Sequence, residues 1–363
     1  VEQDLQDVVD EVSALLGAPA TLEDRAFHLV AFGSQPEHID AVRQASILRR
    51  GSSEQVRRWF EGFGIATAAA PLRVPAHPEL GVLARLCLPA RWRGVTYGYL
   101  WLLDDGAPVA PAALEAAAGL AERTGALLAR AARARAAVEG HVLALLGEDR
   151  DDAGAAAEAL RDAGLLEPGP LVPVAVLGGP GVPPASLPRG VLAAAVPGGL
   201  ALLVPARDAA LPGRVAARVA VDGAVAGLGG PRTDPGALRG AWHEARTAAR
   251  VARDEPAAGP VADWEALGAH RLLGAAPAGP LRAAVLDPAA RRLLDDPDPR
   301  LAATARAWLD HGGSAQATAA ALHVHRQTLY ARLHRVEALT GLDLRDGRDR
   351  LRLHLALLLA PHL

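Results

Sequence analysis

The stretch SAQATAAALHVHRQTLYARLHRVEALT, residues 314–340, reads as two helices joined by a very short turn. Ser314 follows Gly312-Gly313, and its hydroxyl can accept from an orphan N–H of a first helical turn, which makes it the N-cap candidate. Residues 315–322 are mostly alanine, a strong helix former whose small side chain lets a second helix cross closely. His323-Val324-His325 makes the turn, with Val324 as the apolar plug between the helices. Many such turns hold Gly, and here the slot holds His323, a residue that adopts a left-handed backbone at some cost. The second helix is expected over residues 326–340. Leu329, Leu333, Val336 and Thr340 recur at helical spacing and form its buried stripe. Gln327, Tyr330, Ala331 and His334 fall on the opposite face, flanked by Arg326 and Arg335.

That outer face suits DNA. Arg and Gln make bidentate contacts to base edges in the major groove, and Arg, Tyr and Thr reach phosphates. Arg326, Gln327, Tyr330 and His334 are expected at the groove, and Thr328, Arg332 and Arg335 at phosphates. Ala331 between them lets the helix approach closely. The alternative is an ordinary helical hairpin whose solvated face carries arginine, and spacing alone does not separate the two. A metal site at His323, His325 and His334 is not expected, because zinc needs three or four converging ligands and the third histidine lies on another face. No cofactor is expected.

The string GGSAQATAAALHVHRQTLYARLHRVEALTG, within residues 301–363, resembles the C-terminal helix-turn-helix of the PucR/CdaR class of bacterial transcription regulators. The resemblance implies a divergent sensory N-terminus, a middle domain like a degenerate GGDEF fold, and this DNA-binding end. It further implies control of genes for catabolism or secondary metabolism in response to a small-molecule effector.

Composition agrees with several domains. A chain of 363 residues, half of them hydrophobic, is long for one core. No apolar run is long enough to cross a membrane, and the first residues, VEQDLQDVVDEV, are acidic and amphipathic, unlike a signal peptide. Cys87 is the single cysteine, so no intrachain disulfide forms and a cytoplasmic home is expected, with Cys87 read as a buried, inert thiol. Every basic residue is arginine. The net charge is −3, yet residues 300–363 carry nine Arg against five Asp or Glu, a local +4, and six of the twelve His. A basic end on an acidic body is what a tethered DNA-binding module requires.

The chain in order suggests an α+β multidomain protein. Residues 1–16 form an amphipathic helix with Leu5, Val8, Val9, Val12, Leu15 and Leu16 on one stripe. Two short strands around Glu23-Asp24 follow, then helices over 36–50 and 53–63, and a hairpin of strands 81–90 and 95–103 turning at RWRG. A long helix is expected over 111–146. This order resembles a GAF-like sensory domain over residues 1–130, with the hairpin as its central strands. Alternation puts Tyr97, Tyr99 and Trp101 on one face, as core or as an effector pocket. On the long helix, Leu120, Leu127 and Leu128 could form a dimer seam.

Residues 147–295 read as an antiparallel-sheet, ferredoxin-like domain that resembles a degenerate GGDEF domain, most recognisably in GLGGPRTDPGALRGAWHEARTAARVA. A diguanylate cyclase, the alternative enzymatic reading, needs a Gly-Gly-acid turn and carboxylates for Mg²⁺. The hairpin here reads Val196-Pro197-Gly198-Gly199-Leu200-Ala201, with no acid after the glycines, so no enzyme is expected. DDPDPR at 295–300 marks a boundary, and residues 296–363 form the all-α DNA-binding domain, ending in a helix, 348–359, that is apolar nearly all round. The reading is a cytoplasmic regulator that binds double-stranded operator DNA as a homodimer or higher oligomer, with no membrane partner.

Overall fold

The computed structural model describes residues 2–34, 40–49, 51–104, 106, 108–179, 187–256 and 259–363. The chain divides into two compact units, residues 1–137 and 138–363.

The first unit is an antiparallel sheet covered on both faces. Helix α1 (Glu2–Leu16) precedes β1 (Ala20–Asp24) and β2 (Leu29–Phe32). Helices α2 (Ala41–Arg49) and α3 (Glu54–Glu61) lead to β3 (Leu72–Val74), and β4 (Arg85–Trp92) and β5 (Val95–Leu103) form the long hairpin. The sheet order is β2-β1-β5-β4-β3. The stripe read on α1 is the one that is buried: Leu5, Val8, Val9 and Val12 pack with Leu22, Leu88, Leu100 and Leu102. Leu15 lies outside it, 38% exposed. The turn between β1 and β2 follows Asp24, with Phe27 in a left-handed conformation, rather than falling at Glu23-Asp24. The helix expected over 36–50 is described only from Ala41, and residues 35–39 and 50 lie outside the described residues.

The other face of the sheet carries an aromatic core. Phe27 stacks on Phe60, and Trp101 lies against Phe60 and Tyr99. Cys87 is enclosed in the same cluster, and burial pushes its thiol well up, which makes it inert. Two buried carboxylates in this unit have polar partners. Arg85 Nη2 donates to both Asp40 carboxylate oxygens at 2.9 and 2.8 Å, and Glu23 accepts from the Ser46 hydroxyl at 2.6 Å.

One expectation fails here for a physical reason. The ladder between β4 and β5 shifts register between Ala90 and Arg91, so that Gly98 faces Ala90 and Thr96 faces Arg91. The extra residue is Tyr97, a β-bulge. The bulge breaks the alternation: Tyr97 packs with the α1 cluster, while Tyr99 and Trp101 join the opposite, aromatic cluster. Helix α4 (Pro111–Leu145) crosses the hairpin closely because Gly125 has no side chain; a Cβ there would meet the Arg91 carbonyl oxygen at 2.3 Å. Leu128 of the expected seam is buried in this unit's own core, with Leu120 and Leu127 packed beside it. Arg123, Arg130, Arg133 and Arg135 are exposed.

The second unit begins with α5 (Arg150–Asp162), capped by the Asp149 side chain. Its sheet contains β6 (Leu171–Leu177), β7 (Leu192–Val196), β8 (Gly199–Pro205), β9 (Val225–Leu228) and β10 (Val261–Asp263), in the order β10-β9-β6-β8-β7. All pairings are antiparallel except β9 with β10. Helix α6 (Leu211–Val219), unread in the sequence, covers one face through Val215, Ala216 and Val219. Helices α5 and α7 (Leu238–Asp254) cover the other. Two 3₁₀ segments, Trp264–Ala266 and Gly268–Gly274, and helix α8 (Ala278–Val285) follow.

The rest of the unit is helical: α9 (Pro288–Leu294), α10 (Pro299–Asp310), α11 (Ala315–Ala321), α12 (Arg326–Thr340) and α13 (Gly347–Leu359). Ala289 and Leu293 of α9 pack with Leu301, Leu309, Leu329, Leu333, Leu353 and Leu357, so this core takes in residues upstream of 296. The Asp287 side chain caps α9 and pairs with Arg352 of α13. Burial pushes the Asp287 carboxyl up, but Arg352 and two backbone N–H groups outweigh it and hold it below the usual carboxylate range. Helix α13, expected to be apolar nearly all round, has two buried sides instead, and Leu351 between Arg350 and Arg352 is 61% exposed. Leu353 and Leu357 face the helical core, and Leu359 packs on Val251, Leu273 and Leu281.

Candidate nucleic-acid interface

The local sequence builds α11 and α12 as read. The Ser314 hydroxyl accepts from the Ala317 N–H at 3.3 Å, and α11 starts at the next residue. Thr318 and Ala319 are its buried positions. The chain then reverses at His323, which has φ of 51°, the left-handed value the sequence placed in a slot where Gly is common. Val324 is half-buried against the same core. His325 contributes a cap that the sequence reading missed: its Nδ1 accepts from the Gln327 N–H at 3.3 Å. A histidine two residues before a helical Gln was a readable signal, since any short acceptor side chain in extended backbone can serve an N-terminus.

Helix α12 runs from Arg326 to Thr340 and stops at Gly341, which is left-handed. Its buried stripe is Leu329, Leu333, Val336 and Thr340. The opposite face is open: Arg326, Gln327, Thr328, Tyr330, Ala331, His334 and Arg335 are all exposed, Tyr330 by 48%. A tyrosine at that exposure on an otherwise well-packed helix leaves its ring and hydroxyl free for a partner. Arg332 is set apart from the others. It is half-buried, and its guanidinium points back to the Thr304 hydroxyl of α10 at 3.4 Å. His334 lies 3.3 Å from Glu337 one turn on, with its side chain 81% exposed.

Three helices hold this face in place. Helix α12 packs on α10, α9 and α11. Arg292 of α9 donates to the Leu339 and Thr340 carbonyls at 2.9 and 2.8 Å, which satisfies the open C-terminal end of α12. The second of two crossed helices, anchored at both ends with its polar face free, is the geometry by which a helix-turn-helix enters a major groove.

Residues 301–359 match the family described as the PucR C-terminal helix-turn-helix domain. The C-terminal end of this chain is a PucR-type helix-turn-helix domain. It is similar to the carbohydrate diacid regulator of Escherichia coli (strain K12), 46% identical over 70 residues, which are 19% of this chain and 18% of the other. It is also similar to the DNA-binding transcriptional activator AdeR of Bacillus subtilis (strain 168), 28% identical over 104 residues, 28% of this chain and 25% of the other. The chain thus spans a quarter or less of the length of these relatives. Among solved structures it is similar to the regulator of polyketide synthase expression from Bifidobacterium adolescentis, at 22% identity and a TM-score of 0.30, over 63% of this chain and 98% of the other. In this PucR-type domain, α11 and α12 are the two crossed helices joined by the turn at His323.

The first unit offers a cleft of about 790 Å³ between the end of α1, strands β4 and β5, and the start of α4. Leu16, Leu86, Leu102 and Val109 are among its lining residues; Tyr97, Tyr99 and Trp101 are not. Tyr99 and Trp101 are 3% and 0% exposed and serve as core. No helix among the described residues is long and apolar enough to cross a membrane.

Proposed function

We propose that this chain is a sequence-specific DNA-binding transcriptional regulator that responds to a small-molecule effector. The observation that carries the reading is the exposed face of α12, where Arg326, Gln327, Tyr330 and His334 project from a helix whose other face is fully packed. Arg326 and Gln327 lie in its first turn, the part that meets base edges when such a helix docks. Thr328 and Arg335 take phosphates. The relatives named above are a regulator and a DNA-binding activator, which supports the same reading. The protein acts in the cytoplasm as a homodimer or higher homo-oligomer, and a dimer reads half-sites about 34–36 Å apart or multiples of that spacing.

The first unit serves as a GAF-like sensor, and its apolar cleft is the place it offers an effector. The sheet of the second unit serves as a degenerate GGDEF-like relay without turnover. Its hairpin turns at Pro197-Gly198, with Gly198 left-handed, and presents Leu200 and Ala201 where a cyclase needs an acid.

The test is genomic footprinting with the full-length protein and with Arg326→Ala and Gln327→Ala. The expected result is a discrete motif from which each variant loses about 1–3 kcal/mol of specific binding. Binding to the same motif, unchanged in both variants, would make the helical hairpin structural.

A further inference from the structure

Three side chains from three separate elements converge at the seam between α7 and the chain that follows α13. Glu255 is the C-cap residue of α7, His270 lies in the 3₁₀ segment Gly268–Gly274, and His362 lies in the last turn, Ala360–His362. One ligand atom from each lies within 4.8 Å of the others. Glu255 Oε1 is 3.1 Å from His270 Nε2 and 3.5 Å from His362 Nε2. The two imidazole rings are 5.3 Å apart and nearly perpendicular, at 87°.

We propose that Glu255, His270 and His362 form a binding site for a divalent transition-metal ion of the zinc class. Ligands about 2.0–2.1 Å from a tetrahedral zinc stand about 3.3 Å from one another, and the two measured edges bracket that value. The donor set is two imidazoles and one carboxylate, with a fourth position left for water or a further ligand.

His362 supplies the second, independent observation. Its side chain is only 3% exposed. Nδ1 lies 3.2 Å from the Asp254 carboxylate, which leaves Nε2 as the nitrogen turned towards Glu255. That Nε2 is buried and has no hydrogen-bond partner among the described residues. A buried imidazole nitrogen without a hydrogen bond is costly, and a metal ion held between it and Glu255 satisfies it. A carboxylate bound to the far nitrogen of a metal-ligating histidine is the usual outer support of such a site.

Arg306 of α10 also faces this carboxylate, with Nη2 3.7 Å from Glu255 Oε1. Its other nitrogens are committed, Nε to Asp310 at 2.9 Å and Nη1 to the Leu357 carbonyl at 3.1 Å, so Glu255 can turn to a metal without orphaning the guanidinium. Binding replaces the 3.1 Å contact between His270 Nε2 and Glu255 Oε1 with a ligand bond from each to the ion. The ion ties the segment after α13 to α7, fixing the helical end on the sheet that precedes it. A metal level would then set how firmly the helix-turn-helix is held, whatever DNA it reads.

The experiment uses untagged, full-length protein stripped with chelator and titrated with Co²⁺, then with Zn²⁺. One Co²⁺ per chain with the visible absorption of four-coordinate cobalt is expected, displaced by Zn²⁺, with a rise in melting temperature. His270→Gln and His362→Gln should each weaken uptake at least 10-fold, and Asp254→Asn should weaken it about 10-fold or more through the support it removes. Should His362→Gln fail to fold, His270→Gln at the more exposed ligand decides alone. No uptake by the intact chain, or uptake undiminished in His270→Gln, would overturn the proposal. DNA is absent from the assay, so its outcome is independent of operator binding.

Discussion

Glu23 is a carboxylate with almost no water around it, 3% exposed within the first unit's sheet. Burial raises its pKa above the ordinary value, and the Ser46 and Ser52 hydroxyls and the charge of Arg85 offset only part of that. Between the ordinary and the raised value the folded chain keeps a proton that the unfolded chain has lost. Stability therefore falls as pH rises through that window and stays lower above it. Glu23→Gln is neutral throughout, and its amide oxygen can still accept from Ser46 and Ser52. Its melting temperature should exceed the wild type's at pH 8 and match it near pH 4. A variant that melts lower at pH 8 would show that Arg85 holds the carboxylate ionised at a net gain. Sequence alone does not reveal such a group, because Glu23 looks like any acid near a turn. Tyr97 was opaque for a related reason. Strict alternation aligned it with Tyr99 and Trp101, and a single extra residue in the β5 ladder moved it to the other face. The convergence of Glu255, His270 and His362 was invisible because the three come from separate elements, with His362 at the far side of the helical end in sequence. By contrast, the exposed residues of α12 were legible, because period and capping within one helix fix which side faces out.

At the scale of elements, strong local signals gave true boundaries. Ser314 and His323 frame α11 where the chain chemistry placed them. Ser314→Ala removes an acceptor for the Ala317 N–H and should lower the stability of the helical end by about 1 kcal/mol. His323→Gly should raise it by about 0.5–1 kcal/mol, since the left-handed backbone costs histidine more than glycine. Denaturant unfolding followed by far-ultraviolet circular dichroism checks both. Opposite signs are the expected pattern, and a stabilised Ser314→Ala would remove the cap from the account. Elements whose signal is short or shared were missed or displaced. Helix α6 hides in alanine, arginine and valine that also suit a strand, and β3 and β10 have three residues each. Helix α9 was assigned to the middle of the chain because DDPDPR after it reads as a linker. Its place is set instead by Ala289 and Leu293, which bury themselves among residues of α10, α12 and α13. Burial of a leucine, worth about 1.5–3 kcal/mol, outweighs a turn signal of a few residues.

At the scale of the whole molecule, charge sets how the helical end meets DNA. The chain carries −3 overall, while residues 300–363 carry nine arginines against five acids. Those arginines are not equivalent. Arg345 is paired with Asp343, Arg300 with Asp298 and Arg352 with Asp287, so part of the positive charge is already neutralised inside the domain. Arg326 and Arg335 stand exposed on the open face of α12, whereas Arg332 is turned to Thr304. Each phosphate neutralised by an arginine releases a condensed counterion, and the logarithm of affinity falls with the logarithm of salt by about 0.9 per contact. Arg335→Ala should therefore weaken binding on every sequence alike and reduce the salt slope by about 1. Arg332→Ala should leave the slope as it was and lower the unfolding midpoint instead, because it loses a contact to α10. Binding isotherms of the full-length protein at several salt concentrations separate the two. An unchanged slope for Arg335→Ala would take that residue out of the interface. A reduced slope for Arg332→Ala would mean that its side chain leaves Thr304 and swings to the backbone when DNA arrives.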